Sequence, residues 1–249
     1  MGHFIYDRND ETPIWRVFRK EHALSLISGN GLYFPRPQKW DDPFENLLLK
    51  QTYFEAGTQT PIDASAFFDL FFGQCWTREN KETDATWRIY APEKDGIRVR
   101  TTVKKLYSIL DAAFDGTPTL MFFVCRVDYF EVNDILKRAR LDMEMLKAVK
   151  DISGETALQH LTVKRPEFSH ENEVRIIYRD VLGKVPNSED HLIVPTESVN
   201  FIEDITVDPR MDSSEFKNFR NQTQSTLPGI PIKQSELYRI PNIAVPVYT

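Results

Sequence analysis

Short runs of β-branched and aromatic residues recur along the chain in irregular order with helix-like segments. That order restricts the fold more than any single motif. Pro13–Arg19, Leu32–Phe34, Gly73–Thr77, Ile97–Thr101, Thr119–Phe130, Glu171–Arg179 and Phe201–Val207 read as strands, because such side chains suit a pleated, half-buried surface. Lys20–Ser28 carries Ala23, Leu24 and Ile27 on one helical face and stops at Gly29 and Gly31. Ala64–Phe72, Thr83–Ala91, Lys104–Phe114, Val132–Lys150 and Ser213–Gln224 follow as helices. Thr83 or Asp84 caps the second of these and Pro92 stops it. Strands outnumber helices without alternating regularly with them, so the expected class is α+β, with a strongly bent mixed sheet flanked by helices. No repeat and no linker divides residues 1–249, which are expected to form one domain. The proline-rich tail Leu227–Thr249 is expected as irregular edge structure.

Composition narrows the function classes. The 249 residues are 41% hydrophobic and carry a net charge of -6, enough for a sizeable core and unlike disordered, collagenous or coiled-coil chains. No apolar run approaches the ~20 residues that cross a bilayer. Met1-Gly2-His3-Phe4 lacks the basic and apolar blocks of a signal peptide. Two cysteines, Cys75 and Cys125, cannot build a disulfide framework. The expected location is cytoplasmic, without a membrane partner. The acidic balance argues against a broad phosphate-gripping surface and leaves room for a small local patch.

The sharpest local signal is His170-Glu171-Asn172-Glu173-Val174-Arg175-Ile176-Ile177-Tyr178. On a strand the faces alternate. Val174, Ile176 and Tyr178 would then face the core, and Glu171, Glu173 and Arg175 the opposite side with Ile177. Such a charged face either lines a polar cleft, with one Glu binding a hydroxyl and the other positioning a nucleophile, or forms a solvated rim with a weak ion-pair ladder. A second signal is Cys75-Trp76-Thr77 followed by Thr83–Tyr90, where Asp84, Trp87 and Tyr90 would share a helical stripe. That stripe is either core packing or a platform for a planar ring. The third is Trp15-Arg16-Val17-Phe18-Arg19, where Arg16 points away from Trp15 and Val17 and could stack, or bind a carboxylate or phosphate. The fourth, Trp40-Asp41-Asp42-Pro43-Phe44-Glu45, lies in a loop, since Asp42 precedes a proline. It is expected as a structural plug, with Trp40 and Phe44 inserted into the core.

Several chemistries have no motif here. There is no P-loop, no G-x-G-x-x-G and no G-x-S-x-G elbow. The histidines are scattered and neither cysteine has a C-x-x-C partner, so no metal site is expected. Cys125, inside an apolar run, reads as a small core residue.

The ordered blocks W-R, G-L-Y-F-P-R-P-x-x-W-D-D-P-F-E, C-W-T…E-T-D-A-x-W-R-I-Y and K-R-x-x-F-x-H-E-x-E-V-R, from Trp15 to Arg175, resemble a large bacterial domain-of-unknown-function family, number twenty-nine seventy-one. Ile205-Thr206-Val207-Asp208-Pro209-Arg210 extends the match. More distantly, the pattern looks like the arginine–serine–glutamate branch of the ADP-ribosyltransferase superfamily. Arg16 or Arg19 matches the first-strand arginine, Thr77 the Ser/Thr position and Glu171-Asn172-Glu173 the E-x-E pair; C-W-T departs from the usual serine–threonine–serine run. The resemblance implies an ADP-ribosyltransferase-like bent or split sheet and NAD as substrate. Glu173 would hold the ribose hydroxyl and the developing positive charge, and Glu171 would orient or deprotonate the acceptor. Arg16 would bind the pyrophosphate or stack near it, Arg19 and Thr77 would belong to the NAD-binding set, and Trp87 and Tyr90 would shape the nicotinamide pocket. The implied enzyme is a toxin or phage-defence effector modifying a protein or nucleic acid, with an antitoxin as a further partner.

The alternative is a non-catalytic binding or regulatory domain, in which the Glu and Arg residues form a structural ion-pair network. A third reading is a metal-independent nuclease using Glu173 and His170. The transferase expects Arg16, Thr77, Trp87 and Glu173 in one deep cleft. The binding module expects them apart, or Glu171 and Glu173 in bulk water.

Overall fold

The fold is taken from a computed structural model, which describes residues 5–40, 42, 44, 45, 47, 53–54, 57–62, 69–113, 122–141, 155–181, 185–186, 188–196 and 199–242. It is α+β. In chain order the strands are β1 (Pro13–Arg19), β2 (Leu32–Pro35), β3 (Tyr53–Phe54), β4 (Pro61–Ile62), β5 (Phe71–Thr77), β6 (Gly96–Thr102), β7 (Phe122–Arg126), β8 (Asp128–Tyr129), β9 (Val163–Lys164), β10 (Glu173–Arg179), β11 (His191–Val194), β12 (Asp204–Val207) and β13 (Ile232–Gln234). The helices are α1 (Lys20–Ile27), α2 (Asp84–Tyr90), α3 (Val103–Ala112), α4 (Val132–Leu141), α5 (Glu155–Leu161) and α6 (Ser213–Thr226). Among these residues no helix is long and apolar enough to cross a membrane.

Seven strands form the main sheet in the order β13-β12-β6-β1-β5-β10-β7. The β12–β13 pair is parallel and the other neighbours are antiparallel, so the sheet is mixed. One face carries Ile14, Phe18, Trp76, Val99, Val174, Ile176 and Tyr178 into a single apolar cluster, to which the helices add Leu26, Leu106, Leu110 and Phe219. Helices α2, α3 and α6 start where the sequence supplies an acceptor side chain. Thr83 accepts from the Thr86 N–H, Thr102 from Lys105, and Asp212 from Ser214 and Glu215, each satisfying an N–H that the first turn leaves open. After α1 the chain reverses through Gly31, whose φ is +98° and whose missing Cβ leaves room for the Val194 carbonyl; a side chain there would be both strained and obstructed.

The departures from the expected elements have local causes. Thr119–Phe130 is not one strand. Its described part breaks at Val127, because the Asp128 N–H leaves β10 and donates to the Thr162 carbonyl, which starts the β8–β9 pair. Phe71 and Phe72, expected in a helix, extend β5 opposite Arg179 and Tyr178; Asp69 and Leu70 form a turn before them, and 64–68 lie outside the described residues. The tail is not wholly irregular, since Ile232–Gln234 adds β13 to the sheet beside β12. The expected helix Val132–Lys150 is described as far as Leu141.

The second face of the sheet is polar in its middle. Trp15 on β1 lies opposite Thr77 on β5, and Thr77 opposite Glu173 on β10. Cys75, Arg175 and Cys125 form the next row across β5, β10 and β7. Beside it Gly73 leaves space for Trp40, whose ring would lie 2.5 Å from a Cβ at that position. Between β1 and β5 only the Trp15–Thr77 pair is in register, whereas β1 pairs with β6 along its whole length. The ladder is therefore split beside Thr77.

Candidate functional site

The charged end of β10 is buried. Arg175 is fully excluded from solvent and Glu173 is 4% exposed. Two buried charges are tolerated only when their donors and acceptors are filled, and here they are. Arg175 Nε and Nη2 donate to the two oxygens of Glu173 at 2.8 and 3.0 Å. Its Nη1 donates to the Leu161 carbonyl at 2.6 Å, and Nη2 also to Glu45 at 2.9 Å. Trp40 covers the guanidinium, 4.3 Å from ring centre to the guanidinium carbon. Trp40 and Phe44 thus do not plug the apolar core. Phe44 lies 4.7 Å from the Arg165 guanidinium, which pairs with Asp42 at 3.1 Å. The loop covers the charged face because its carboxylates and rings match the cations there.

Lys164, 8% exposed on β9, ties the group together. Its ammonium reaches Glu45 at 2.9 Å and Glu173 at 3.4 Å, and also binds Glu171. Three carboxylates thus share two cations, Lys164 and Arg175. Burial pushes the Glu173 carboxyl up, but the Arg175 charge and hydrogen bonds, with Lys164, outweigh it and hold the group at about 2. Burial likewise acts to lower Lys164, and the Glu173 and Glu45 charges reverse this and raise it. Among the described residues no group of His, Cys, Asp and Glu is arranged to hold a metal ion. The Lys164 ammonium occupies the space between the carboxylates.

Glu171 is not on the strand, so its place on one β face with Glu173 is corrected. A 3-10 turn over Pro166–Glu171 ends at Asn172, whose φ of 43° and ψ of 53° are left-handed. Asparagine accepts that conformation more readily than most residues. Its side-chain oxygen takes bonds from Arg78 Nε and Nη2 at 3.1 and 2.6 Å. The kink brings Glu171 to the edge of the cluster. One carboxylate oxygen binds Lys164, and the other receives a long 3.4 Å contact from the Tyr90 hydroxyl. Tyr90 is 46% exposed as a residue, but desolvation of its hydroxyl, then the Glu171 and Glu173 charges, raise its pKa. Tyr129 accepts from the Glu173 N–H at 2.9 Å and is pushed up to about 12, chiefly by burial.

Arg16 enters the split between β1 and β5. Its Nη1 donates to the Cys75 carbonyl, its guanidinium lies 5.2 Å from the Phe18 ring centre, and its Nε has no partner among the described residues. Desolvation lowers its pKa while the Glu173 charge opposes this, which puts it in the same electrostatic neighbourhood. Thr77 donates to the Glu171 carbonyl and accepts from the Glu79 N–H at 2.9 Å, closing the turn after β5. Burial, then the Glu173 charge, holds the Cys75 thiol pKa well up, so it stays protonated.

The corner therefore gathers Arg16, Thr77, Tyr90, Glu171 and Glu173. It does not gather Arg19 or Trp87. Arg19 is exposed beyond this corner, opposite Gly96 and just before α1. Trp87 is 1% exposed, packed against Gly96, with its indole donating to Glu82 at 3.3 Å. Asp84, Trp87 and Tyr90 diverge rather than form one stripe: Asp84 faces outward and pairs with Arg88 at 2.7 Å. Sequence reasoning missed Lys164 and took Glu45 only as part of a structural plug. Both stand in the family-like blocks, in W-D-D-P-F-E and K-R, but nothing in their local spacing marks them as partners of Glu173.

Residues 86–176 match the family described as Protein of unknown function (DUF2971). That span contains Tyr90, Lys164, Glu171, Glu173 and Arg175, and leaves Arg16, Glu45 and Thr77 outside it. No curated protein and no solved structure matches the chain.

Proposed function

We propose that this protein consumes NAD and transfers ADP-ribose to a protein or nucleic-acid acceptor, as a toxin or phage-defence effector. The supporting observation is that the three motif positions fall on adjacent strands at the split. Glu173 on β10 is opposite Thr77 on β5, Thr77 is opposite Trp15 on β1, and Arg16, next to Trp15 and based on the other face, turns into the split to donate to the Cys75 carbonyl. Positions far apart in sequence would meet this way in a site that grips one ligand.

The geometry redistributes the carboxylate roles. Both oxygens of Glu173 are engaged by Arg175, so Glu173 sets the field and fixes its neighbours. Glu171, at the rim beside Tyr90, is the more exposed carboxylate, at 17% against 5% for Glu173, and is the one a ligand would reach. As the bond between nicotinamide and ribose breaks, the ribose becomes cation-like and the Glu171 charge stabilises it. Nicotinamide leaves with the bonding pair. The acceptor nucleophile then bonds to the ribose carbon and gives its proton to Glu171 or to water. Arg16 serves the phosphates and Tyr90 the nicotinamide ring.

The test is nicotinamide release from NAD in the presence of cell lysate, with labelled NAD to trace the acceptor. Wild type is expected to release nicotinamide and label a macromolecule. Glu171→Gln is expected to lose about 10²–10³-fold in rate, the size of one removed transition-state contact, with an unchanged melting temperature. If wild type releases nothing and labels nothing, the reading falls. The paired state of Glu173 then supports the second reading, a binding domain in which the charges are structural.

A further inference from the structure

Helix α6 departs from the acidic balance of the chain. The chain carries a net charge of -6, yet from Phe216 to Thr226 the helix has no Asp or Glu. It has Lys217, Arg220 and a run of amide and hydroxyl residues instead. Phe219, Thr223 and, at the helix end, Leu227 are four residues apart and turn one side into the core. The two acids at the start of the helix are engaged. Asp212 accepts from the Ser214 and Glu215 N–H groups, and Glu215 pairs with Lys20 on α1.

Along the helix runs a groove of about 740 Å³, lined by Ser213, Phe216, Lys217, Arg220, Asn221 and Gln224. These positions recur every three or four residues, so they share one side of the helix over about 17 Å, at 1.5 Å per residue. No carboxylate is among them. Lys217 and Arg220 are exposed, and among the described residues neither pairs with an acidic side chain. Phe216 is half-buried; it packs against the core and also lines the groove. Asn221 and Gln224 supply amides, each with both a donor and an acceptor. The groove thus offers two cations, an aromatic ring and two amides, and nothing negative.

We propose that this groove binds single-stranded nucleic acid. Lys217 and Arg220 take two phosphates, a base stacks on Phe216, and Asn221 and Gln224 meet base edges, which present donors as well as acceptors. A duplex keeps its bases paired and stacked, which leaves no free ring face for Phe216. An acidic peptide would satisfy the cations, but its carboxylates offer the two amides acceptors only. The charge complementarity is local, which is how an acidic chain holds a polyanion without a broad basic surface. Phe219 joins the apolar cluster with Val174, on the opposite face of the sheet from Glu173, so the groove does not require that the protein consume NAD.

Fluorescence anisotropy of the full chain with a labelled single-stranded oligonucleotide, once as DNA and once as RNA, tests this without NAD. Saturable binding of at least one is expected, and the tighter of the two shows which sugar the groove prefers. The logarithm of affinity should fall with that of salt at a slope of roughly -1.4, from two phosphate contacts at about 0.7 each. Lys217→Gln with Arg220→Gln should remove most of that slope and weaken binding about tenfold or more. Phe216→Leu should weaken binding about fivefold and keep the slope, which marks lost stacking rather than lost charge. Both cations are exposed, so their double variant tests the groove even if Phe216→Leu disturbs the core. Lys104→Gln, which removes an exposed lysine paired with Glu11, should leave affinity and slope unchanged. Absence of saturable binding to wild type overturns the proposal. So does an equal loss in the Lys104 and the Lys217 with Arg220 variants, or binding of polyglutamate or of the matching duplex as tight as that of the single strand. None of these outcomes depends on nicotinamide release.

Discussion

The Arg175 guanidinium grips both carboxylate oxygens of Glu173, two residues back on the same strand, at 2.8 and 3.0 Å. Both groups are buried, so removing one partner strands the other. Arg175→Met is expected to destabilise the fold by about 3–5 kcal/mol, the cost of an uncompensated buried charge. Adding Glu173→Leu to that variant should recover part of the loss, since the stranded carboxylate goes too. Urea unfolding of wild type, both single variants and the double variant measures the coupling. Additive losses would show that the two groups do not depend on one another.

Acid should release the same pair. The Glu173 carboxyl is held at about 2 in the folded chain, against 4.5 ordinarily, because the attraction of Arg175 and Lys164 exceeds the burial penalty. A group whose folded pKa is depressed adds stability above its unfolded pKa and loses it as pH falls toward the folded value. The window is therefore pH 4.5 down to about 2. The stability advantage of wild type over Glu173→Gln should shrink by roughly 3 kcal/mol across it, since each tenfold difference in proton affinity between the folded and unfolded chain is worth about 1.4 kcal/mol. Paired urea melts at successive pH values read this directly. A constant advantage across the window would rule the ionised pair out as its source.

The alternation in Glu173–Tyr178 made the apolar face of β10 legible, because a period of two needs only local sequence. The ion-pair geometry was not legible. Arg175 meets Glu45 across 130 positions, and no local pattern shows that a loop carboxylate will close over a strand. The break after Arg126 was hidden for a related reason. Val127-Asp128-Tyr129 continues a β-branched and aromatic run, and only the distant Thr162 carbonyl turns the chain away. Trp87 misled because helical spacing cannot tell an indole aimed at Gly96 from one facing a ligand. The kink at Asn172 did carry a signal, since asparagine tolerates the left-handed region, but the surrounding strand-like residues outweighed it.

That kink separates the conformational and hydrogen-bonding demands on one residue. Asn172 adopts φ 43° and also supplies the oxygen that Arg78 grips. Asn172→Gly meets the first demand and loses the second, whereas Asn172→Ala loses both, and a Cβ-bearing residue without a local polar group costs about 1–2 kcal/mol in the left-handed region. Asn172→Ala should therefore destabilise the fold more than Asn172→Gly, by about 1 kcal/mol once the greater entropy of unfolded glycine is counted against the latter. Both variants should loosen the turn that sets Glu171 against Lys164. The two effects are separable by urea unfolding for the backbone and by the mobility of Glu171, read from side-chain carbon relaxation, for the turn. Equal stability of the two variants would mean that the left-handed conformation is not what Asn172 is there to provide.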